Sequence, residues 1–353
     1  MSHIFPLALS YDDVLLVPQY SEVASRADVD LTTQISPKLK LKLPLISTKM
    51  DNVTGTEMAI AIAKLGGMGI LPRFETIESQ AYKVRQVKKQ NALVAAAIGI
   101  KEGYQDRAEA LIKAGVDAIN IDVAHGHMKK TIDVTRHIKQ LYGNKVTVIS
   151  GITCTQECAE DLYEAGADSL LVGVGSGSIC TTRQMTGCGV PGFTSLLETS
   201  KAAKKYKKTF MPDAGIRNSG DIVKALATGA SAIVAGSLFA GTDESPGKIK
   251  EIGGQKYKEY NGSASLEEKQ NQVKRDPSDK SRAYTIHIEG VSAMVEYKGP
   301  LKSHVERLLA GVKSGFSYCG AKNIRELWEK AKFIQVTTHG YYESRAHSVL
   351  VQN

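Results

Sequence analysis

The sequence predicts a single (β/α)8 barrel, and three observations support this fold class. Short apolar runs that suit buried parallel strands recur along the first two-thirds of the chain, and amphipathic, helix-like segments lie between them. There are eight such runs, which favours a closed barrel over the main alternative, a doubly wound open sheet. Conspicuous polar residues follow the strands directly, and in such barrels the chemistry collects on these loops.

The order of these segments along the chain supports each element in turn. The strand-like runs are Leu43–Ser47, Gly67–Leu71, Ala92–Ile98, Ala118–Val123, Val146–Ser150, Ser169–Val172, Thr209–Pro212 and Ala232–Ala235. Helical patterns between them include Gly55–Leu65, Gln105–Ala114, Lys129–Tyr142, Gln156–Ala165, Thr194–Lys204 and Ser219–Ala227. Two further amphipathic helices are predicted after the barrel, at Leu301–Val312 and Ile324–Lys332.

The amino-acid composition indicates which kinds of molecule the protein binds. A hydrophobic content of 42% in 353 residues suits a globular protein with a sizeable core. The net charge of +8 would allow nucleic-acid binding, but the lysines are scattered and only 6% of residues are aromatic. We therefore expect an anionic small-molecule substrate and no nucleic acid. No apolar run reaches the roughly 18 residues that a membrane span requires, so no membrane association is expected.

The cysteine pattern predicts a reduced, cytoplasmic protein. Five cysteines, an odd number at irregular spacings, do not suggest a disulfide framework, and nothing resembling a signal peptide precedes them. Cys154 and Cys158 lack a second pair at zinc spacing, so we interpret them as ordinary thiols.

One loop combines a candidate nucleophile with a candidate anion site. Gly173–Arg183 follows the strand Ser169–Val172 and is rich in glycine, which lets the backbone approach a ligand closely. Within it, Cys180 is flanked by hydroxyls and by Arg183, and neighbouring cations or N–H groups favour the reactive thiolate. The pattern alone leaves a second interpretation open, because such a cysteine is more often a small buried hydrophobe.

Two later loops are candidate phosphate sites. Gly215 precedes a predicted helix start near Asn218, and Gly236-Ser237 follows the eighth strand. Exposed N–H groups and a helix N-terminus there would hold a dianion, although glycines needed only for close packing would give the same pattern.

The domain prediction is one catalytic unit over residues 1–353, with two appendages. Lys248–Tyr284 is polar and has no clear apolar face, so we expect it to be either disordered or part of a mobile flap over residues 248–296. Residues 337–353 form a tail whose histidines lack metal-ligand spacing.

Several separated motifs resemble one family. They are Leu9–Pro18, the cysteine loop Gly175–Arg183, Asp213–Arg217 with Ser219–Asp221, Gly236-Ser237 with Ala240–Thr242, and Tyr297–Pro300. In this order they resemble the IMP dehydrogenase/GMP reductase family over nearly the whole chain. The resemblance implies a (β/α)8 barrel that assembles as a homotetramer.

Within that family the match favours the dehydrogenase branch, with two alternatives open. Ser317–Ala321 and the tail residues Glu343, Ser344 and His347 resemble the dehydrogenases. The chain lacks the paired regulatory domains that most dehydrogenases insert near Lys88–Asn91, which makes its length similar to that of the reductases. The alternatives are a GMP reductase and a purine-nucleotide-binding member without catalysis.

The resemblance implies a reaction on inosine 5′-monophosphate (IMP). Cys180 would attack C2 of the purine, hydride would pass to NAD⁺, and water would release xanthosine 5′-monophosphate. Thr182 would position or activate the water. The family flap carries adjacent arginine and tyrosine for hydrolysis, whereas here Ala283 separates Arg282 from Tyr284.

The same resemblance implies the ligand contacts. The substrate residues would be Thr48, Ser178, Asp213, Gly215, Gly236, Ser237, Tyr260, Gly262, Ser263 and Glu289, and the cofactor residues Asp122, Val123 and Gly173. Ala214 stands where the family has glycine in the phosphate turn. A potassium ion would be held by carbonyls of Gly175, Gly177 and Cys180, with Glu343, Ser344 and Arg345 of a neighbouring subunit.

Overall fold

The computed structural model describes residues 5–276 and 288–349. Its strands are β1 (Val14–Leu16), β2 (Thr33–Ser36), β3 (Leu39–Leu41), β4 (Leu45–Ser47), β5 (Met68–Leu71), β6 (Val94–Ile98), β7 (Ala118–Asp122), β8 (Thr147–Thr153), β9 (Ser169–Val172), β10 (Thr209–Pro212), β11 (Ile233–Ala235), β12 (Ile249–Ile252), β13 (Gln255–Asn261), β14 (Ser292–Glu296) and β15 (Phe333–Gln335). Its helices are α1 (Thr56–Leu65), α2 (Ile77–Lys88), α3 (Tyr104–Lys113), α4 (Lys129–Tyr142), α5 (Gln156–Glu164), α6 (Thr182–Thr186), α7 (Gly192–Tyr206), α8 (Ser219–Ala227), α9 (Ser237–Ala240), α10 (Leu266–Arg275), α11 (Leu301–Tyr318), α12 (Ile324–Lys330) and α13 (Thr338–Glu343).

The central sheet is an eight-stranded parallel barrel. Its strand order is β10-β9-β8-β7-β6-β5-β4-β11, so each strand pairs with its neighbour in the chain and β11 pairs back onto β4. The remaining seam between β10 and β11 is closed by a parallel bridge from Asp213 to Val234. There the Ala214 N–H donates to the Val234 carbonyl at 3.1 Å. The predicted (β/α)8 barrel is confirmed.

The barrel strands separate two layers of core. Apolar side chains such as Ile46, Met68 and Met211 belong to one buried cluster, which also includes side chains of β2 and β3. Other side chains of the same strands, such as Leu45 and Phe210, pack in a second cluster with helix residues such as Phe193. Because both faces of each strand are buried, the strands have the continuous apolar sequences that predict a barrel.

The predicted elements are confirmed, with shifted ends. Lys129–Tyr142 is a helix with the expected bounds, whereas α7 begins earlier and ends later than the predicted Thr194–Lys204. Helix α11 continues to Tyr318, well beyond the predicted end at Val312. Helix α2 ends at Lys88 and β6 begins at Val94, so this connection is too short to contain a domain.

The polar segment after the barrel contains regular structure in its described part. Strands β12, β13 and β14 form an antiparallel sheet, and α10 follows β13. Polar contacts attach this sheet to the barrel: the buried Lys258 ammonium donates to the carbonyls of Thr242 at 2.8 Å and Ser245 at 2.6 Å. Contacts of this kind leave no apolar pattern in the sequence, so the packed sheet was not predicted.

Among residues 5–276 and 288–349, no helix combines the length and apolar character needed to cross a bilayer.

Candidate active site

The cysteine loop begins at the carboxyl end of β9 and is tightly folded. Gly175 has a φ of +70°, and a Cβ added there would lie 2.6 Å from the Arg183 side chain. The Arg183 guanidinium donates to the Val174 carbonyl from two nitrogens, both at 3.1 Å, and to the Val190 carbonyl at 2.6 Å. The sequence suggested Arg183 as a cation beside the thiol, but its guanidinium instead binds carbonyls on both sides of the loop.

Cys180 is the first of three side chains that are hydrogen-bonded in series. Its thiol donates to the Thr182 hydroxyl oxygen at 3.2 Å, and that hydroxyl donates to a Glu289 carboxylate oxygen at 2.8 Å. This arrangement gives the thiol proton a route toward a carboxylate, as a nucleophilic cysteine requires. The structure therefore brings together three residues that were assigned separately to the catalytic and substrate sets.

Backbone pairing holds Glu289 beside the cysteine loop. Cys180 and Gly290 form an antiparallel bridge, the Thr181 N–H donates to the Glu289 carbonyl at 3.2 Å, and the Val291 N–H donates to the Ile179 carbonyl at 3.0 Å. A Cβ on Gly290 would lie 3.3 Å from the Ile179 carbonyl oxygen, so a side chain there would crowd the pairing. This short ladder fixes the carboxylate relative to the thiol.

A pocket of about 220 Å³ contains the candidate phosphate residues. Five predicted substrate residues line it: Ser178, Gly215, Gly236, Ser237 and Tyr260. Burial raises the pKa of Tyr260 to about 12, so its hydroxyl stays protonated and can donate; hydrogen bonds to Ser178 and to the backbone of Ser237 partly oppose the shift. A Cβ on Gly236 would approach the Tyr260 hydroxyl oxygen to 2.5 Å, so that position requires glycine.

Sequence reasoning missed the ion pairs at the rim of this pocket. The Arg217 guanidinium binds Asp12, with one contact at 2.9 Å, and Asp221, also at 2.9 Å. The hydrogen bonds that Arg217 donates to the carboxylates of Asp12 and Asp221 raise its pKa. Both partners lie within the motifs on which the family resemblance rests, but the distance of Asp12 along the chain hid the contact.

A cleft of about 310 Å³ adjoins the pocket and holds most of the other predicted residues. The two cavities share Gly175, Ser176, Ala214, Gly236 and Tyr260. Predicted residues that line the cleft are Thr48, Asp122, Val123, Gly173, Gly175, Gly177, Cys180, Thr182, Asp213, Gly236, Tyr260, Gly262, Ser263 and Glu289. One continuous depression at the carboxyl ends of the strands therefore runs from the phosphate residues to the cysteine.

Four charged side chains of alternating sign line the cleft, in the order Asp213, Lys49, Asp122 and Arg73. The Lys49 ammonium binds an oxygen of Asp213 and lies 3.7 Å from an oxygen of Asp122, and the Arg73 guanidinium lies 3.1 Å from the other Asp122 oxygen. Burial lowers the pKa of Lys49, but the carboxylates of Asp213 and Asp122 raise it, and the net direction is upward. Lys49 and Arg73 were not predicted, although Lys49 comes soon after a barrel strand, where polar residues were expected to carry the chemistry.

A second charge cluster joins α10 to the loop after β4. Arg275 pairs with Asp51 at 3.1 Å and also binds Glu268. Burial raises the pKa of Asp51 to about 7, Arg275 opposes this, and the charges of Glu268 and Glu75 add to it.

The remaining predicted residues fall outside this depression. Arg282 and Tyr284 lie outside the described residues. Glu343, Ser344 and Arg345 lie in the C-terminal tail, and all three are exposed. The Arg345 guanidinium stacks on Tyr341, with its central carbon 4.7 Å from the centroid of the ring. Their assignment to a neighbouring subunit stays a prediction.

The chain matches the family model described as "IMP dehydrogenase / GMP reductase domain" over residues 8–347. It is similar to an inosine-5′-monophosphate dehydrogenase of Cryptosporidium parvum, with 38% identity covering 97% of this chain and 95% of the relative. It is also similar to enzymes of that name from Aquifex aeolicus, at 34% identity over 97% and 96% of the two chains, and from Nitrosopumilus maritimus, at 31% over 98% and 99%.

The aligned lengths differ between these relatives. The Aquifex and Nitrosopumilus alignments span 471 and 474 positions, and the Cryptosporidium alignment spans 385. The two longer alignments greatly exceed the 353 residues of this chain, so a substantial part of each of those relatives has no counterpart here.

Proposed function

This chain belongs to the IMP dehydrogenase/GMP reductase family, and we propose that it is an IMP dehydrogenase that oxidises IMP to xanthosine 5′-monophosphate with NAD⁺. The observation that carries the proposal is the hydrogen-bonded chain Cys180–Thr182–Glu289 at one end of a cleft whose other end contains the phosphate residues. A purine mononucleotide has its phosphate and its reactive ring carbon at opposite ends, which suits this layout.

We propose that the nucleotide lies along the depression with its phosphate at one end and its purine base at the other. Gly215, Gly236 and Ser237 hold the phosphate, Asp213 accepts hydrogen bonds from the ribose hydroxyls, and the purine reaches Cys180. Thr48 supports Asp213 through a 3.4 Å contact between its hydroxyl and the carboxylate. Glu289, Gly262 and Ser263 line the base end.

Cys180 is the proposed nucleophile. Its proton passes toward Thr182 and Glu289 as sulfur bonds to C2 of the purine, and C2 then loses its hydrogen as hydride. When bound beside Asp122, NAD⁺ supplies the acceptor for that hydride. The resulting thioimidate between Cys180 and the purine is hydrolysed by water, which releases xanthosine 5′-monophosphate and regenerates the thiol.

The Thr182–Glu289 pair has a second proposed role in hydrolysis. Glu289 is the carboxylate nearest to the Thr182 hydroxyl, so the two together can orient a water molecule beside the carbon attached to Cys180 and accept its proton. Arg282 and Tyr284 are proposed to assist this step on grounds of the family resemblance alone.

The residues proposed for the cofactors offer suitable chemistry. Asp122 and Val123 lie in the same cleft as Cys180, and the Asp122 carboxylate can accept hydrogen bonds from the hydroxyls of a ribose. For potassium, the loop offers carbonyl oxygens at Gly175, Gly177 and Cys180, the ligand type that hard cations prefer. The Gly177 carbonyl already accepts the Cys180 N–H at 3.1 Å, and its second lone pair is free to bind an ion.

Potassium is proposed to stabilise the conformation of the cysteine loop. Its remaining ligands are proposed to come from Glu343, Ser344 and Arg345 of a neighbouring subunit, which would make the homotetramer a condition for full activity. Their exposure in the single chain is compatible with such a contact.

GMP reductase is the second candidate. The same three side chains can deliver a proton to an amino group leaving C2, so the geometry that supports IMP oxidation also suits deamination of GMP with NADPH as hydride donor. A pair of absorbance assays on the purified protein, with potassium present, separates the two. We expect NADH to form from IMP and NAD⁺ and no loss of NADPH with GMP; the opposite result would establish the reductase, and silence in both with nucleotide still bound would indicate a non-catalytic member.

A further inference from the structure

Lys49 occupies the middle of the candidate active site and has no role in the proposed chemistry. It follows β4, its side chain is 9% exposed, and it lines the same cleft as Cys180. Its ammonium binds Asp213, the carboxylate proposed to accept the hydroxyls of the substrate ribose. Any group that approaches Asp213 from the cleft therefore also approaches Lys49.

The donors of this ammonium are incompletely used. A lysine carries three N–H donors, and among the described residues Asp213 takes one through a direct hydrogen bond. The nearest Asp122 oxygen lies 3.7 Å away, which is long for a second hydrogen bond. A nearly buried ammonium with donor capacity toward a cleft favours a ligand oxygen, because an unmade hydrogen bond to a charged group is costly.

The position along the cleft indicates which ligand oxygen this is. Asp213 lies two residues before Gly215, at the boundary between the phosphate pocket and the cleft that contains Cys180. In a mononucleotide the ribose lies between the phosphate and the base. The Lys49–Asp213 pair thus faces the ribose, and a hydroxyl placed there can donate to the carboxylate and accept from the ammonium at once.

A role for Lys49 as a general base does not fit its surroundings. Two carboxylates lie within 4 Å of its nitrogen, and both favour the charged ammonium, which has no lone pair with which to take a proton. Its contribution is therefore hydrogen-bond donation and charge.

We propose that Lys49 is a specificity-determining residue that, together with Asp213, recognises the ribose hydroxyls and so selects ribonucleotides over deoxyribonucleotides. This inference rests on the proposed function only in placing a purine ribonucleotide in the cleft. With an analogue that lacks this hydroxyl, the carboxylate and the ammonium stay paired with each other, but each makes one hydrogen bond fewer in a nearly buried site. Polar groups left short of a hydrogen bond in such a site allow an enzyme to discriminate strongly.

The test is equilibrium binding without dinucleotide, so that no turnover is needed. Dissociation constants are measured for IMP, 2′-deoxy-IMP and 3′-deoxy-IMP with the wild-type chain, Lys49→Met and Lys49→Gln. We expect the wild type to bind IMP about 10- to 100-fold more tightly than at least one analogue, the value of one hydrogen bond to a charged group. In Lys49→Met the preference for IMP over that analogue, measured as the ratio of their dissociation constants, should fall about tenfold. The substitution removes a hydrogen bond that IMP makes and the analogue lacks, so it weakens the binding of IMP alone.

Lys139→Met is the matched control, because it removes a lysine that is paired with a buried carboxylate, Asp168 at 2.8 Å, and lines neither cavity of the site. Its preference for IMP should match that of the wild type.

Two results would overturn the proposal: a wild type that binds all three nucleotides equally, or equal weakening of all three by Lys49→Met. If Lys49→Met does not fold, Lys49→Gln replaces it, because glutamine keeps a hydrogen-bond donor without the charge. Its preference for IMP should lie between those expected of the wild type and of Lys49→Met. A preference equal to that of the wild type would also contradict the proposal. Absence of turnover with IMP and NAD⁺ would instead count against the dehydrogenase assignment and leave this binding test intact.

Discussion

The Thr182 hydroxyl donates a hydrogen bond to the Glu289 carboxylate at 2.8 Å, although 107 residues separate the two in the chain. The contact joins a loop of the barrel to the segment that pairs with it through Gly290. Because the Cys180 thiol donates to the same hydroxyl, the nucleophile is connected to a carboxylate through one intermediate side chain.

Cys180→Ala should abolish turnover, with kcat lower by at least about 10³-fold, because no other group supplies the covalent step. Nucleotide binding should remain, since the phosphate and ribose contacts are untouched, and a dissociation constant measured by calorimetry checks this. Cys188→Ala is the control: this exposed cysteine lies in the segment just after the same loop and should leave kcat unchanged. Turnover by Cys180→Ala would show that the nucleophile is misassigned.

Thr182→Val keeps the shape of the side chain and removes the hydroxyl that links Cys180 to Glu289. We expect kcat to fall by about 10²- to 10⁴-fold, the usual contribution of a positioned acid or base, with little change in nucleotide affinity. Thr186→Val, in the same short helix α6, serves as the control: it removes an exposed hydroxyl that donates to the Thr182 carbonyl at 2.7 Å and accepts the Cys188 N–H at 3.1 Å. If both variants lost equal activity, the helix rather than the hydroxyl would be responsible.

Ala214→Gly should stabilise the protein. Ala214 has a φ of +79°, in the left-handed region, which costs an L-residue roughly 1–2 kcal/mol, whereas glycine adopts it freely. Glycine loses roughly 0.5–1 kcal/mol more conformational entropy on folding, so the expected net gain is about 0.5–1 kcal/mol. A higher midpoint in urea unfolding would show it.

The control for this substitution is Ala165→Gly, because Ala165 has an ordinary right-handed φ of −69°. There the same change should destabilise the protein. A loss of stability in Ala214→Gly of similar size would show that the packing of the Ala214 methyl group outweighs the strain of its left-handed backbone.

The Asp51 carboxyl should make stability depend on pH. Burial raises its pKa to about 7, with Arg275 opposing and Glu268 and Glu75 reinforcing the shift, while Lys83 lowers it slightly. The folded chain thus holds this proton more tightly than the unfolded chain. That contribution is fully present below the unfolded value near 4 and is lost as the pH rises toward 7.

Asp51→Asn removes this titration. The melting temperature of the variant relative to the wild type should therefore increase between about pH 5 and about pH 8. Glu267→Gln is the control, because Glu267 is exposed in the first turn of α10 and does not touch the cluster. A difference in melting temperature that stays constant with pH would mean that Asp51 is ionised throughout.

The parts that the sequence predicted are those recorded in local patterns. Eight apolar runs predicted the barrel because each of its strands is buried on both faces, and the glycine-rich stretch before Cys180 marked the loop because its backbone adopts conformations that require glycine. The family motifs then supplied Glu289, which no local pattern connects to Cys180.

The parts that were missed depend on contacts between distant segments. Lys49 reaches Asp213 across the mouth of the barrel, and Arg217 reaches Asp12 over a separation of 205 residues. A charged side chain in a polar loop looks the same in sequence whether it faces solvent or a buried carboxylate. The packing of Lys258 against backbone carbonyls was hidden for the same reason, since neither partner contributes to an apolar pattern.

The most direct test of the central claim is a search for the covalent intermediate on Cys180. Protein turning over IMP and NAD⁺ is quenched in acid, digested and analysed by mass spectrometry, with Cys180→Ala and Cys188→Ala treated in parallel. We predict that the peptide containing Cys180 carries the mass of the oxidised purine nucleotide only when both ligands are present, in the wild type and in Cys188→Ala. Sustained turnover without that adduct, or an adduct on another residue, would contradict the account.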